Sequence, residues 1–92
     1  MPHWAPEHGR NLLPYIVVAD AAAAVAFAET AFGAVAARPI LRHADGGIWN
    51  AELKIGEDRF MIAEARGFGP HPAFLYLYVA DCDAVFARAI EA

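Results

Sequence analysis

The apolar positions form short strand-like runs and one long alanine-rich segment. Residues 14–19 are an apolar, β-branched run, which predicts a strand buried on both faces. Ala21–Phe32 follows Asp20 and precedes Gly33. An aspartate N-cap, an alanine-rich body and a glycine just past the end together predict a helix.

Three further strands are predicted before a glycine- and proline-rich loop at 66–72. Residues 34–42 form the second strand, in which Pro39 marks an edge or a bulge. Residues 48–55 alternate, and Gly56-Glu57-Asp58 predicts a tight hairpin connection into residues 59–64. One face of the third strand then carries Trp49, Ala51, Leu53 and Ile55, and the other Ile48, Asn50, Glu52 and Lys54.

The second part of the chain repeats the beginning of the first. Residues 74–79 predict another strand, and Asp81 or Asp83 caps a final helix whose apolar side carries Val85, Phe86 and Ile90. The segment Val79-Ala80-Asp81-Cys82 parallels Val18-Ala19-Asp20-Ala21. This is an internal repeat, and its second copy stops after its helix.

Composition and charge narrow the class of protein. Hydrophobic residues are 59% of the 92, but 22 are alanines, which add little core volume. A net charge of −4 without a Lys/Arg cluster predicts no nucleic-acid binding. The apolar runs are too short for a membrane span, and residues 1–10 are not typical of a signal peptide. The single Cys82 excludes an intrachain disulfide and predicts a reducing, cytoplasmic location.

Several segments together resemble a known superfamily. They are Pro14-Tyr15-Ile16-Val17-Val18-Ala19-Asp20, Ala31-Phe32-Gly33-Ala34, Asp45-Gly46-Gly47-Ile48-Trp49-Asn50-Ala51-Glu52-Leu53, Lys54-Ile55-Gly56 and Leu77-Tyr78-Val79-Ala80-Asp81-Cys82-Asp83-Ala84-Val85-Phe86. In order and spacing they are similar to the vicinal oxygen chelate superfamily, which includes glyoxalase I, bleomycin-resistance proteins and extradiol dioxygenases, and in particular to its PhnB-like branch. The resemblance covers about residues 12–92.

The resemblance implies an α+β fold in which two βαβββ modules pair into a curved mixed sheet, with helices on the convex face and the ligand on the concave face. One domain, residues 1–92, would then hold a first module at 12–65 and the start of a second at 73–92, about three strands short. Because an unpaired strand edge must be covered, we expect a homodimer, with strand exchange as one form of it.

The alignment with the superfamily also predicts which strand residues face the helices and which residues occupy the superfamily's metal-ligand positions. Trp49, Ala51, Leu53, Leu75, Leu77 and Val79 would meet the helices. The metal-ligand positions fall on Leu13, Ala63 and Phe74, none of which is a ligand, and Glu64 in a slipped register does not hold an ion alone. We therefore expect no cofactor and no metal site, with a divalent metal held by other residues as the alternative.

Candidate binding residues lie on the opposite, concave face. The polar pair Asn50 and Glu52 share it, and Glu52 is the candidate catalytic base, since a buried carboxylate suits general-base chemistry. His43 lies at a strand end beside a turn, whereas His3, His8 and His71 are interpreted as surface residues. The full predicted ligand site is Tyr15, His43, Asn50, Glu52, Phe74, Tyr76 and Tyr78. The alternative interpretation of Asn50 and Glu52 is that they lie on a half-exposed sheet face. The alternative for the three tyrosines is that they pack in the core.

Three functions follow as hypotheses. The first is a metal-free protein of the glyoxalase/bleomycin-resistance type that binds a small, partly aromatic ligand. The second is an enzyme, either a metal-dependent lyase, isomerase or dioxygenase or one that uses Glu52 as base. The third is a truncated or interaction module with no small-molecule site. A serine nucleophile is excluded, because the chain contains no serine.

Overall fold

The computed structural model describes residues 11–71 and 73–92. Over these residues it contains a mixed sheet and two helices, which confirms the predicted α+β class. His3 and His8 lie outside the described residues. In chain order the elements are Tyr15–Val18 (β1), Ala21–Phe32 (α1), Val35–Ala36 (β2), Leu41–Arg42 (β3), Ile48–Ile55 (β4), Asp58–Glu64 (β5) and Cys82–Glu91 (α2).

The sheet is built around β4 and β5. Its order is β1-β5-β4-β2, with β1 parallel to β5 and the other pairs antiparallel, and β3 also pairs with β4. Both β2 and β3 pair with β4, and the four residues between them include Pro39, which lacks a backbone N–H for the ladder. The second strand, predicted as residues 34–42 with an edge or a bulge at Pro39, is thus divided into two short strands on either side of Pro39. When β2 and β3 are counted as one strand, the elements from β1 through α1 to β5 follow the order βαβββ.

Helix α1 begins and ends as its sequence predicts. The Asp20 carboxylate accepts a hydrogen bond from the Ala23 N–H at 3.0 Å, and Gly33 ends the helix with a left-handed φ of 69°. Its small buried residues bring the helix close to the sheet. The core cluster consists of Ala21, Val25, Ala28, Ala34, Ile48, Ala51, Leu53 and Ile62.

The face prediction for β4 is correct for Ala51 and Leu53 and wrong for Trp49. Ile48 is buried in the core, whereas the Trp49 side chain is 60% exposed. The pairing explains the difference, because Leu41 lies opposite Asn50 and Arg42 lies opposite Ile48. Trp49 is thus the extra residue of a β-bulge, which reverses the alternation of faces at that point.

Residues 74–79 form no strand in the described structure, contrary to the prediction. Their exposure still alternates as in a strand: Phe74, Tyr76 and Tyr78 are almost fully exposed, and the residues between them are about half as exposed. A strand requires a hydrogen-bonding neighbour, and no described strand lies beside this segment. Leu75 and Leu77, predicted to meet the helices, reach only the rim of a cleft beside α1.

Helix α2 has an aspartate N-cap like that of α1, but its residues are not buried as those of α1 are. Asp81, rather than Asp83, is the N-cap, and its carboxylate accepts a hydrogen bond from the Ala84 N–H at 3.1 Å. The helix packs on α1, where the Arg88 Nε donates to the Ala31 carbonyl at 3.3 Å. Phe86 and Ile90, predicted for the apolar side, remain exposed because α1 is the described element on which α2 mainly packs. Neither α1 nor α2 has the length and apolar content needed to cross a membrane.

Candidate functional site

Two predicted site residues, Tyr15 and Glu52, lie in one row with Met61 on the sheet face opposite α1. Tyr15 on β1 pairs with Met61 on β5, and Met61 pairs with Glu52 on β4. Residues directly opposite one another share a face, and neighbouring strands are about 4.8 Å apart. The row from Tyr15 to Glu52 therefore spans about 10 Å between backbones.

An ion pair lies at the β4 end of this row. The Arg59 guanidinium Nη1 donates to Glu52 Oε2 at 3.0 Å. The Glu52 side chain is 3% exposed and that of Arg59 is 20% exposed. The residue predicted as a catalytic base therefore already accepts a charge-assisted hydrogen bond in a nearly buried position.

Asn50 lies next to the row, on the same face as Glu52, as the strand alternation predicts. Its Nδ2 donates to Met61 Sδ at 3.5 Å, a weak bond to a thioether acceptor. The contact turns the Asn50 amide towards the centre of the row. Tyr15, Asn50 and Glu52 are thus brought together on one face.

His43 lies at the edge of the site, stacked on a tryptophan. Its ring centroid is 6.3 Å from that of Trp49, with an interplanar angle of 30°. The backbone of His43 closes the turn, since its N–H donates to the Gly47 carbonyl at 2.8 Å and its carbonyl accepts from Gly46. The bulge at Trp49 creates this stack, and strand alternation carries no signal for a bulge.

Phe74, Tyr76 and Tyr78 are not brought to this face. Phe74 is fully exposed, and the rings of Tyr76 and Tyr78 contact each other with centroids 5.1 Å apart. Tyr76 lines a cleft on the other side of the sheet, beside α1. The structure therefore divides the predicted ligand site into a sheet-face group and a separate aromatic segment.

A second ionic cluster holds the turn before β4 against the end of β5. The Arg66 guanidinium donates to both Asp45 carboxylate oxygens, at 2.9 and 3.0 Å, and to Glu64 Oε2 at 2.8 Å. These bonds, together with one from the Gly47 N–H, lower the pKa of Asp45 to about 2. A Cβ at Gly47 would collide with the Arg66 and Glu64 side chains, so glycine makes room for the cluster.

The described part of the chain offers no set of side chains for the divalent metal site that was the alternative prediction. Glu64, the ligand of the slipped register, is bound by Arg66. Ala63 is buried beside Val17, its partner across β1 and β5. Over residues 11–71 and 73–92, no three His, Cys, Asp or Glu side chains are grouped so that they could hold a metal ion.

Sequence reasoning missed a cleft of about 580 Å³ on the helix side of the sheet. We call it the helix-side cleft. Strand alternation predicts which residues face α1 but not whether α1 fills the space above them. The described residues that line it are Leu12, Leu13, Pro14, Ile16, Ala24, Phe27, Ala28, Phe32, Ile55, Asp58, Arg59, Phe60, Ile62, Leu75, Tyr76 and Leu77.

Arg59 and Met61 were also missed as site residues. Their signal is the alternation of β5, in which Arg59, Met61 and Ala63 share the face that meets Glu52, but only the register with β4 reveals it. A scan of the chain against protein-family models and a search of curated proteins both find no match. The superfamily resemblance accordingly remains a prediction from the sequence segments.

Proposed function

We propose that this chain is a binding protein of the glyoxalase/bleomycin-resistance type that holds a small, partly aromatic ligand on the sheet face opposite α1. The observation that carries the proposal is the nearly buried Glu52–Arg59 ion pair in line with Met61 and Tyr15. Ligand sites combine apolar surface with a few fixed polar groups, and this row supplies both. The βαβββ order of β1 to β5 supports the superfamily part of the proposal.

Each residue of the face has a role in this proposal. The half-exposed ring of Tyr15 offers an aromatic surface on which a flat ligand stacks. Asn50 and the Glu52–Arg59 pair orient the polar substituents of that ligand. The His43–Trp49 stack extends the aromatic surface at the edge, and Phe74, Tyr76 and Tyr78 join the site only in a paired form of the protein.

The proposed site works through side chains alone, without a metal. The carboxylates of Glu52 and Glu64 are each bound by a guanidinium group. The exposed, free thiol of Cys82 supports a reducing, cytoplasmic location as part of the same proposal.

Methionine-methyl NMR tests the site directly, because the chain has two methionines and Met61 lies at the centre of the row. We expect a ligand from a library of small aromatic acids and phenols to shift the Met61 methyl signal of the ¹³C-labelled protein. Tyr15→Ala, which removes the stacking surface, is expected to weaken that ligand about tenfold.

Glu29→Gln, at an exposed position of α1, is the matched control and leaves the affinity unchanged. The proposal is wrong if no library member shifts Met61, or if Tyr15→Ala binds as tightly as the wild-type chain.

We also propose that two copies of the chain pair through residues 74–79. This segment is a run of apolar and aromatic residues with strand-like alternation and no ladder partner among the described residues. Among residues 11–71 and 73–92, the outer edge of β1 is paired through one bridge, in which the His71 N–H donates to the Val17 carbonyl at 3.1 Å. A second copy would satisfy these exposed backbone groups.

Light scattering at micromolar concentration is expected to give twice the 9.9 kDa mass of the chain. Tyr76→Pro removes a backbone donor and should return the protein to a monomer, because proline cannot pair within a ladder. Tyr76→Ser keeps the N–H and should remain dimeric. A wild-type monomer would contradict the pairing.

A further inference from the structure

We infer that the helix-side cleft is a second binding site, which takes an uncharged apolar molecule. It lies on the opposite side of the sheet from Tyr15 and Glu52, and of the residues assigned to the proposed ligand site Arg59 and Tyr76 also line it. Its volume of about 580 Å³ falls within the roughly 300–1,000 Å³ that small-molecule sites occupy.

Three surfaces enclose the cleft. Phe27 and Phe32 of α1 form one wall, where their rings meet edge to face with centroids 5.6 Å apart. The sheet supplies the floor through Ile16, Phe60 and Ile62. Residues 75–77 lie at the rim on the third side, and the cleft is therefore lined by parts of the chain that are far apart in sequence.

The described residues leave the cleft unfilled because the helix residues above it are small. Ala24 and Ala28 face the sheet at this point, and each contributes one methyl group. The same helix packs closely on Ala51 and Leu53 elsewhere. A concave surface lined mostly by apolar side chains favours an apolar molecule.

The charges of the lining indicate an uncharged ligand. Among the described lining residues, Asp58 and Arg59 alone are charged, and they carry opposite charges side by side. Arg59 already donates to Glu52, so the rim offers no unbalanced cation for a carboxylate or phosphate. Tyr76 is the uncharged polar residue of the described lining, which suits a ligand with few polar groups.

The test uses N-phenyl-1-naphthylamine, an uncharged dye whose fluorescence rises in apolar sites, with anilinonaphthalene sulfonate as its charged counterpart. We expect one dye per chain and tighter binding of the uncharged form. Ala24→Trp fills the cleft and should weaken the dye about tenfold, whereas Ala26→Trp, on the exposed side of α1, should change its affinity less than about twofold.

A surface pair keeps the test valid if Ala24→Trp does not fold. Leu77→Asp places a charge at the rim of the cleft and should weaken the dye, whereas Tyr78→Asp, one residue further and almost fully exposed, should not. Both variants place an aspartate within residues 74–79, but of the two positions Leu77 alone lines the cleft, so the difference between them reports on the cleft. Tyr15→Ala, on the other sheet face, should leave dye binding unchanged.

Three results would overturn the inference. The first is equal dye affinity in Ala24→Trp and Ala26→Trp, or in Leu77→Asp and Tyr78→Asp. The second is tighter binding of the sulfonate, which would assign the site to anions. The third is loss of dye binding as the wild-type chain dimerises, which would show that a second copy covers the cleft.

Discussion

Leu53→Ala is expected to lower the free energy of unfolding by about 3 kcal/mol, within the 2–5 kcal/mol typical of buried leucines. Leu53 is fully buried in the middle of β4, between Ala36 on one neighbouring strand and Phe60 on the other. Its removal leaves a cavity under α1, whose alanines are too short to fill it. Since domains of this size are stable by only about 5–15 kcal/mol, the loss is a large fraction of the total.

Urea unfolding followed by circular dichroism measures this effect as a lower transition midpoint with an unchanged slope. Leu12→Ala is the matched control, because Leu12 is 89% exposed and its truncation should cost less than about 0.5 kcal/mol. Equal midpoints for the two variants would show that β4 is not the centre of the core.

Local patterns predict the elements of this fold well where the residues in one stretch decide the outcome. Asp20, Gly33 and the alanines between them specify α1, and the alternation on either side of Gly56 specifies the β4–β5 hairpin. Gly56 starts the two-residue turn with a φ of 58°, a conformation that favours glycine. The ends of α1 and the position of the hairpin depend on residues that are neighbours in the chain, so a single sequence is enough to predict them.

Features that depend on distant partners could not be predicted in the same way. Residues 74–79 have the composition of a strand, but a strand exists only beside another strand. Trp49 is exposed because of how β3 pairs with β4. The site shows the same limit: Asn50 and Glu52 share a face by alternation alone, whereas the contact of Arg59 with Glu52 follows from the register of β5.

Arg59→Ala is expected to cost about 2–3 kcal/mol of stability, because it removes a charge-assisted hydrogen bond to a nearly buried carboxylate. The partial exposure of Arg59 keeps the figure at the lower end of what breaking a buried ion pair costs. Lys54→Ala is the matched control, since Lys54 pairs directly with Arg59 across the two strands. It should cost less than about 0.5 kcal/mol.

The double variant Glu52→Leu/Arg59→Met separates the stability of the ion pair from its function. Replacing both charges with apolar side chains of similar size removes the desolvation cost together with the attraction, so the double variant should be about as stable as the wild-type chain. Under the proposed function it should nevertheless lose the aromatic ligand that shifts the Met61 methyl signal. A double variant that is stable and still binds the aromatic ligand would show that the ion pair has no role in ligand binding. One that is stable and fails to bind would mean that the charges are retained for the ligand, since the fold does not need them.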